Sequence, residues 1–240
     1  MNDLLDRREV RIRRMFDGIA PKYDLLNHLL SLNIDKAWRR RVTRMVPATD
    51  GPVLDMCTGT GDLALAYHRA TGGTIPIIGA DFAGQMLERA VKKSAKKKAG
   101  DIRYVQADAQ FLPFADNTFE VVTVAFGLRN VTDPMKGLAE MARVCRPGGR
   151  VAVLEFSKPR HWFLGRMYRG YFRYLLPCVG QMVSKSKENA YTYLPESVLT
   201  FPDGETLAQR MRDAGLGEVS YTPFTFGIST LYVGTKPAWK

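Results

Sequence analysis

Val53-Leu54-Asp55-Met56-Cys57-Thr58-Gly59-Thr60-Gly61-Asp62 is an apolar run of strand length that breaks into a glycine-rich turn. Residues 63–69, just after it, begin a helix. Gly59 and Gly61 let the chain turn tightly and let a ligand approach the backbone. A strand that enters a helix through such a turn is the unit of a parallel α/β sheet. Ligands of that architecture sit beyond the carboxyl ends of the strands.

The same alternation continues outward. Residues 74–80, 102–106, 119–124 and 150–155 read as further strands, with helices at 84–98 and 134–144. Arg146-Pro147-Gly148-Gly149 reads as the turn that closes the second of these helices. Residues 206–214 form a last helix, ended by Gly215, and the runs 218–226 and 230–235 should pair antiparallel across Gly227-Ile228-Ser229. The expected architecture is α/β: a Rossmann-like sheet, mostly parallel with one antiparallel C-terminal strand, and helices on both faces. Upstream, residues 8–46 read as helical, with Leu25, Leu26, Leu29 and Leu30 at helical spacing and a break at Pro21. An irregular stretch at about 157–200 mixes aromatics with cations. No linker divides the chain, so one domain is expected over 1–240, with 1–46 as a helical lid and 157–200 as an inserted cap.

Of the 240 residues 45% are hydrophobic and 25% charged, a balance that suits a soluble globular protein and excludes a disordered one. Cys57, Cys145 and Cys178 have no CxxC spacing, which argues against a disulfide framework or a zinc site; Cys57 and Cys145 read as core residues. No apolar signal segment is visible, and no apolar run approaches the roughly 20 residues of a membrane helix. A reducing, cytoplasmic setting is expected, with no metal. The net charge is +11, and basic clusters fall at 7–14, 36–44, 92–98 and 158–187. Each alone reads as a solvated helix face; together they imply attraction to nucleic acid or to an anionic membrane surface.

The glycine loop by itself is ambiguous. Gly59-Thr60-Gly61-Asp62-Leu63-Ala64 fits the dinucleotide pattern G-x-G-x-x-A, and Asp81 stands 20 residues beyond Gly61, where that pattern wants an acid for a ribose. Three features favour S-adenosylmethionine over a nicotinamide. Asp55 precedes the glycines, where a carboxylate repels a pyrophosphate and attracts a cationic amino acid. Asp108-Ala109 follows the third strand, where an acid can accept from an adenine amino group. The chain closes with an antiparallel pair. In this order they resemble a class I S-adenosylmethionine-dependent methyltransferase.

A narrower resemblance rests on four separated motifs. They are Phe16-Asp17-Gly18-Ile19-Ala20-Pro21-Lys22-Tyr23-Asp24 with Asn27 and Leu30-Ser31; residues 125–133; Val153-Leu154-Glu155-Phe156-Ser157-Lys158-Pro159; and Tyr191-Thr192-Tyr193-Leu194-Pro195-Glu196-Ser197 with Phe201-Pro202. Over about residues 11–236 the chain is similar to the ubiquinone/menaquinone biosynthesis C-methyltransferase family. It departs from that family at Asn33, often a glycine there, and at Ala125, a serine in some members. Asparagine tolerates the same left-handed backbone; the loss of the serine puts a cofactor contact at 125 in doubt.

The resemblance implies methylation of a polyprenyl quinol ring, demethylmenaquinol to menaquinol, or alternatively 2-methoxy-6-polyprenyl-1,4-benzoquinol in the ubiquinone pathway. It implies that Asp55, Gly59, Thr60, Gly61, Asp81, Asp108 and Ala109 hold S-adenosylmethionine. The reaction needs a stabilised phenolate and a route for a proton. Arg129 and Asn130, in Ala125-Phe126-Gly127-Leu128-Arg129-Asn130-Val131, suit the first task, and Tyr23 is a third candidate. Each has a packing alternative: Arg129 paired with a nearby acid such as Asp133, Asn130 capping the helix near Pro134, and Tyr23 as a half-buried packing tyrosine. The base is open between Asp108 and a water relayed through Arg129, since His28, His68 and His161 lie outside the strand-tip motifs.

The 158–187 segment, with Trp162, Phe163, Tyr168 and Tyr171 among cations, suits a prenyl-tail entrance rimmed by bases, peripheral on the inner face of the plasma membrane. The rival class is a nucleic-acid methyltransferase. Its amino-methylating members carry a Pro-Pro-aromatic strand tip that is absent here, so no nucleic-acid partner is expected. Assembly as a homo-oligomer or within a quinone-biosynthesis complex is left open.

Overall fold

β1 (Val53–Met56) and β4 (Phe119–Ala125) lie side by side at the centre of a seven-stranded sheet. The computed structural model describes residues 12, 17, 18, 23, 24, 31, 33–159, 166 and 197–238. Beyond β1 come β2 (Ile77–Asp81) and then β3 (Arg103–Gln106); beyond β4 come β5 (Cys145–Phe156), β7 (Ser229–Thr235) and β6 (Gly217–Phe224). The first five strands are parallel, and β7 runs antiparallel to both of its neighbours, so six strands point one way. This is the expected Rossmann-like sheet. β4 is buried along nearly all its length, as the apolar run Phe-Glu-Val-Val-Thr-Val requires of a strand covered on both faces. β3 is half exposed, as an edge strand should be.

Helices cover both faces. On one, α1 (Ile34–Met45) and α2 (Asp62–Ala70) bury Trp38, Val42 and Tyr67 against Leu231 and Phe224. On the other, α4 (Pro134–Val144) and α5 (Glu205–Asp213) bury Leu138, Met141, Leu207 and Met211 with Phe119 and Tyr232. Each such side chain contributes roughly 1.5–3 kcal/mol relative to exposure. α3 (Gly84–Lys96) joins β2 to β3. α1 starts at Asn33, whose φ of 61° is a left-handed backbone that asparagine tolerates. α4 starts at Asp133, which accepts from the backbone N–H of Met135 and Lys136, with Pro134 at the first helical position. No helix among the described residues is long and apolar enough to cross a membrane.

The main departure from the sequence reading lies in β5, which already begins at Cys145. Arg146-Pro147-Gly148-Gly149 is therefore part of a strand and not a turn. Cys145 pairs with Phe119, and Gly148 N–H and Gly149 C=O bond Lys236 at 2.8 and 2.9 Å. These distant partners satisfy backbone that the local composition would release. The leucines of the amino-terminal region, His28, His161, Cys178 and most of the 157–200 insertion lie outside the described residues.

The strand order reverses between β1 and β4. Connections leave the sheet in opposite directions there and open a crevice at the carboxyl ends.

Candidate functional site

A cleft of about 850 Å³, its open mouth included, occupies that crevice. Six of the ten expected site residues line it: Tyr23, Gly59, Asp81, Asp108, Ala109 and Asn130. Asp55, Thr60, Gly61 and Arg129 are not among its lining residues. Each of the four is tied up behind the wall, and the ties explain the shape of the cleft.

Asp55 is turned under the glycine loop. Its carboxylate accepts from Thr58 Oγ1 at 2.6 Å, Ala64 N at 3.1 Å and Thr123 Oγ1 at 3.2 Å. Thr123 is its register partner on β4. Ala64 lies in the first turn of α2, where a helix offers free N–H groups and a positive dipole end. That anion site is thus filled by the protein's own carboxylate. Burial raises Asp55 to about 6, although the bonds from Thr58, Thr123 and Ala64 pull the other way. Gly61 caps α2 at φ 82°, and a Cβ there would come within 2.5 Å of the Tyr104 hydroxyl. Only glycine meets both conditions.

Asp81 ends β2 and clamps the loop from the other side. Its Oδ2 accepts Gly59 N–H at 2.7 Å and its Oδ1 accepts Ala83 N–H at 2.8 Å. Burial raises its pKa against those backbone bonds. Asp108, beyond β3, accepts Gln110 N–H at 2.8 Å. Two carboxylates therefore stand at adjacent strand ends on a floor of Ala80, Ala109 and Met86, and no lysine or arginine is among the described lining residues. The Gly59 and Gly61 N–H groups are taken by Asp81 and by Thr58 C=O. Among the described lining residues a phosphate would find no cation, and these two glycine N–H groups are already taken. The arrangement suits a neutral or cationic ligand that brings its own hydrogen-bond donors.

At the tip of β4, Phe126 holds a left-handed backbone, φ 59°, and its ring packs 4.4 Å from that of Phe156. Gly127 follows it, and a Cβ there would lie 2.4 Å from Cys57 Cβ. Arg129 pairs with Glu155 at 2.8 Å, donates to Phe126 C=O at 2.5 Å and lies 5.3 Å over the Phe156 ring. Its side chain is 7% exposed and that of Glu155 1%. Arg129 thus takes the packing alternative, paired with a nearby acid, but that acid is Glu155 and not Asp133, which caps α4. Asn130 faces the cleft and also reaches Phe126 C=O, at 3.4 Å.

Tyr23 packs on Ala83 and Met86 beside Gly59. Thr60, buried, donates its hydroxyl to Asp24 and accepts from Lys93 Nζ at 2.9 Å. Cys57, read as core, does pack against the core and also lines the cleft, its φ of 52° setting it beside Gly127. Burial, with Asp81 and Asp55 nearby, pushes its thiol well above the usual range, so it is no thiolate nucleophile. His68 sits on α2 near Asp101, away from the cleft. Two participants went unread in the sequence. Glu155 could have been found as an acid in an apolar strand, Val-Ala-Val-Leu-Glu-Phe, which must have a cation nearby. Lys93 was hidden in a run of lysines.

Comparison with known proteins follows the same outline. Residues 4–236 match the ubiE/COQ5 methyltransferase family. The chain is 43% identical over 228 residues to the ubiquinone/menaquinone biosynthesis C-methyltransferase UbiE of Geotalea daltonii, covering 94% of this chain and 96% of that protein. It is 46% identical over 226 residues to the demethylmenaquinone methyltransferase of Deinococcus radiodurans, covering 94% and 92%. A crystal structure of a Thermotoga maritima S-adenosylmethionine-dependent methyltransferase, described as a possible histamine N-methyltransferase, is similar with TM-score 0.67 at 20% identity, covering 94% and 99%. One of a methyltransferase from Methanococcus maripaludis gives 0.67 at 17%, covering 93% and 94%. At such identities these structures show the fold alone.

Proposed function

This chain belongs to the ubiE/COQ5 methyltransferase family, and on that premise we propose that it methylates a ring carbon of demethylmenaquinol in the cleft between β1 and β4. It is an S-adenosylmethionine-dependent C-methyltransferase of quinone biosynthesis. The observation that carries the assignment of the cleft is its charge: Asp81 and Asp108 side by side, with no cation among the described lining residues. When bound, S-adenosylmethionine supplies a methyl group already activated on a sulfonium.

Asp81 would accept from a hydroxyl group with the lone-pair capacity its carboxylate keeps beyond the backbone N–H groups of Gly59, Ala83 and Phe82. Asp108 would accept from an amino group on an aromatic ring lying over Ala109. Asp55, Thr60 and Gly61 would act through the loop they shape. On the quinol side, Asn130 would donate to a ring oxygen and favour its anionic form. Tyr23 would bound the ring from the amino-terminal side. Arg129 would act at one remove, by fixing the Phe126 carbonyl and hence the side wall. The naphthalene quinol is the first substrate to test, because a relative 46% identical is named for it. The exposed side of α1 carries Lys36, Arg40, Arg41 and Arg44, which supports docking on anionic lipid.

The test is methyl transfer from labelled S-adenosylmethionine to demethylmenaquinol, to the benzoquinol analogue, or to bulk RNA. Label in menaquinol is expected. Label in the benzoquinol alone would move the assignment to the ubiquinone pathway, and label in RNA alone would overturn it. Vesicles with anionic lipid should retain the protein at low salt and release it as salt rises.

A further inference from the structure

We propose that Lys93 is a positioning residue for the reaction, holding Tyr23 against the glycine loop through Asp24. The role rests on the reading of the cleft given above. Lys93 belongs to the lysine run at the end of α3 and just past it, where Lys92, Lys96, Lys97 and Lys98 are exposed. Its own side chain is only 18% exposed. The ammonium donates to Asp24 Oδ2 at 2.6 Å, Asp62 Oδ1 at 2.8 Å and Thr60 Oγ1 at 2.9 Å. An ammonium has three donors, and three acceptors from two segments, Asp24 in one and Thr60 and Asp62 in the other, take them. Thr60 Oγ1 donates in turn to the other oxygen of Asp24, so both oxygens of that carboxylate are held.

Asp62 opens α2. A cation near a helix amino terminus is opposed by the helix dipole. Helix stability alone would not place a lysine here; the second carboxylate, Asp24, offsets that cost. Asp24 adjoins Tyr23. Tyr23 Cε1 lies 3.8 Å from where a Cβ on Gly59 would stand, and its ring rests on Ala83 and Met86, all of them cleft residues. The cluster therefore fixes one wall of the cleft from one residue away. A lone surface ion pair carries little weight, but this network ties two segments of the cleft to a third element.

Two readouts test it. Hydrogen exchange of the peptide containing Tyr23 and Asp24 should quicken several-fold in Lys93→Met and in Asp24→Asn, and return toward wild type in Lys93→Arg. Quinol methylation should show kcat/KM about fivefold lower in Lys93→Met, partly rescued by Lys93→Arg, with no further loss when Lys93→Met is added to Tyr23→Ala. Losses that multiply in that double variant would mean Lys93 does not act through Tyr23. Unchanged exchange in both Lys93→Met and Asp24→Asn would overturn the proposal outright. If the wild type methylates no quinol, the functional reading fails, and exchange still decides the part assigned to Lys93.

Discussion

Arg129→Ala separates two views of the strand-four tip. If Arg129 served only as a cation facing substrate, its loss would abolish turnover and spare the fold. The structure ties it to Glu155 in a pair whose side chains are 7% and 1% exposed, with a further bond to Phe126 C=O and a ring contact to Phe156. Removing the guanidinium leaves Glu155 with the Arg129 N–H at 3.4 Å and the Phe156 N–H at 3.1 Å. Breaking one side of a buried pair costs about 3–5 kcal/mol, chiefly because the remaining charge is stranded. For a chain of this size each kcal/mol moves the melting temperature by about 2–4 °C. Arg129→Ala should therefore melt roughly 6–20 °C lower.

Thermal unfolding followed by circular dichroism measures this, alongside Glu155→Gln and the apolar double variant Arg129→Met/Glu155→Leu. The double variant should recover most of the loss, since replacing both charges removes the stranded one. A melting temperature for Arg129→Ala within 2 °C of wild type, with turnover gone, would refute the reasoning and restore a direct role at the substrate.

Asp81→Ala removes a carboxylate proposed to accept from a ligand hydroxyl; S-adenosylmethionine affinity by calorimetry should fall about 10- to 100-fold, on the scale of a charge-assisted hydrogen bond, and unchanged affinity would end that role. Asp55 is raised by burial to about 6 in the folded chain, so the native state binds its proton more tightly than the unfolded state does. Its contribution is thus full below the unfolded value near 4 and is lost as pH rises to about 6; the melting curves of wild type and Asp55→Asn should diverge over that window, and parallel curves would contradict the assignment. Gly127→Ala should cost about 1–3 kcal/mol by overpacking against Cys57 Cβ. Cys57→Gly should relieve it in denaturant titrations, whereas Cys57→Ala, which keeps the Cβ, should not.

The alternation of strands and helices was legible because β1 and β4 are short apolar runs bounded by turn residues, and the helix start at Pro134 was legible too, but not its cap, which is Asp133 and not Asn130. The early start of β5 was not, because Arg-Pro-Gly-Gly carries turn chemistry and only Phe119 and Lys236, both far away in sequence, make it a strand. The placement of β7 between β5 and β6 was likewise hidden: a hairpin fixes that two strands pair, not which of them meets the rest of the sheet. In the site, positions just past strand ends were readable one strand at a time, hence Asp81, Asp108 and Asn130. Which way a side chain turns was not. Asp55 and Arg129 stand at strand ends beside the cleft, yet each is drawn behind the wall by a partner from a neighbouring strand, Thr123 on β4 and Glu155 on β5.

Those ties divide the cleft into halves of unequal stiffness. The glycine loop is clamped from below by Asp55 on Ala64 and Thr58, and from the side by Asp81 on Gly59. All these bonds join to charged or partly charged groups at buried or half-buried positions, so the loop is shaped before any ligand arrives and binding has little backbone to order there. The facing wall at Tyr23 is held by ions that water reaches: the side chains of Asp24 and Asp62 are 38% and 25% exposed. Salt and solvent weaken such contacts first. A ligand passing between the two must displace the weaker side, because opening the loop side would strand Asp55 under the helix it caps. Entry and release should therefore be governed at Tyr23, and ionic strength should change the rate of donor exchange more than the position of the glycine loop.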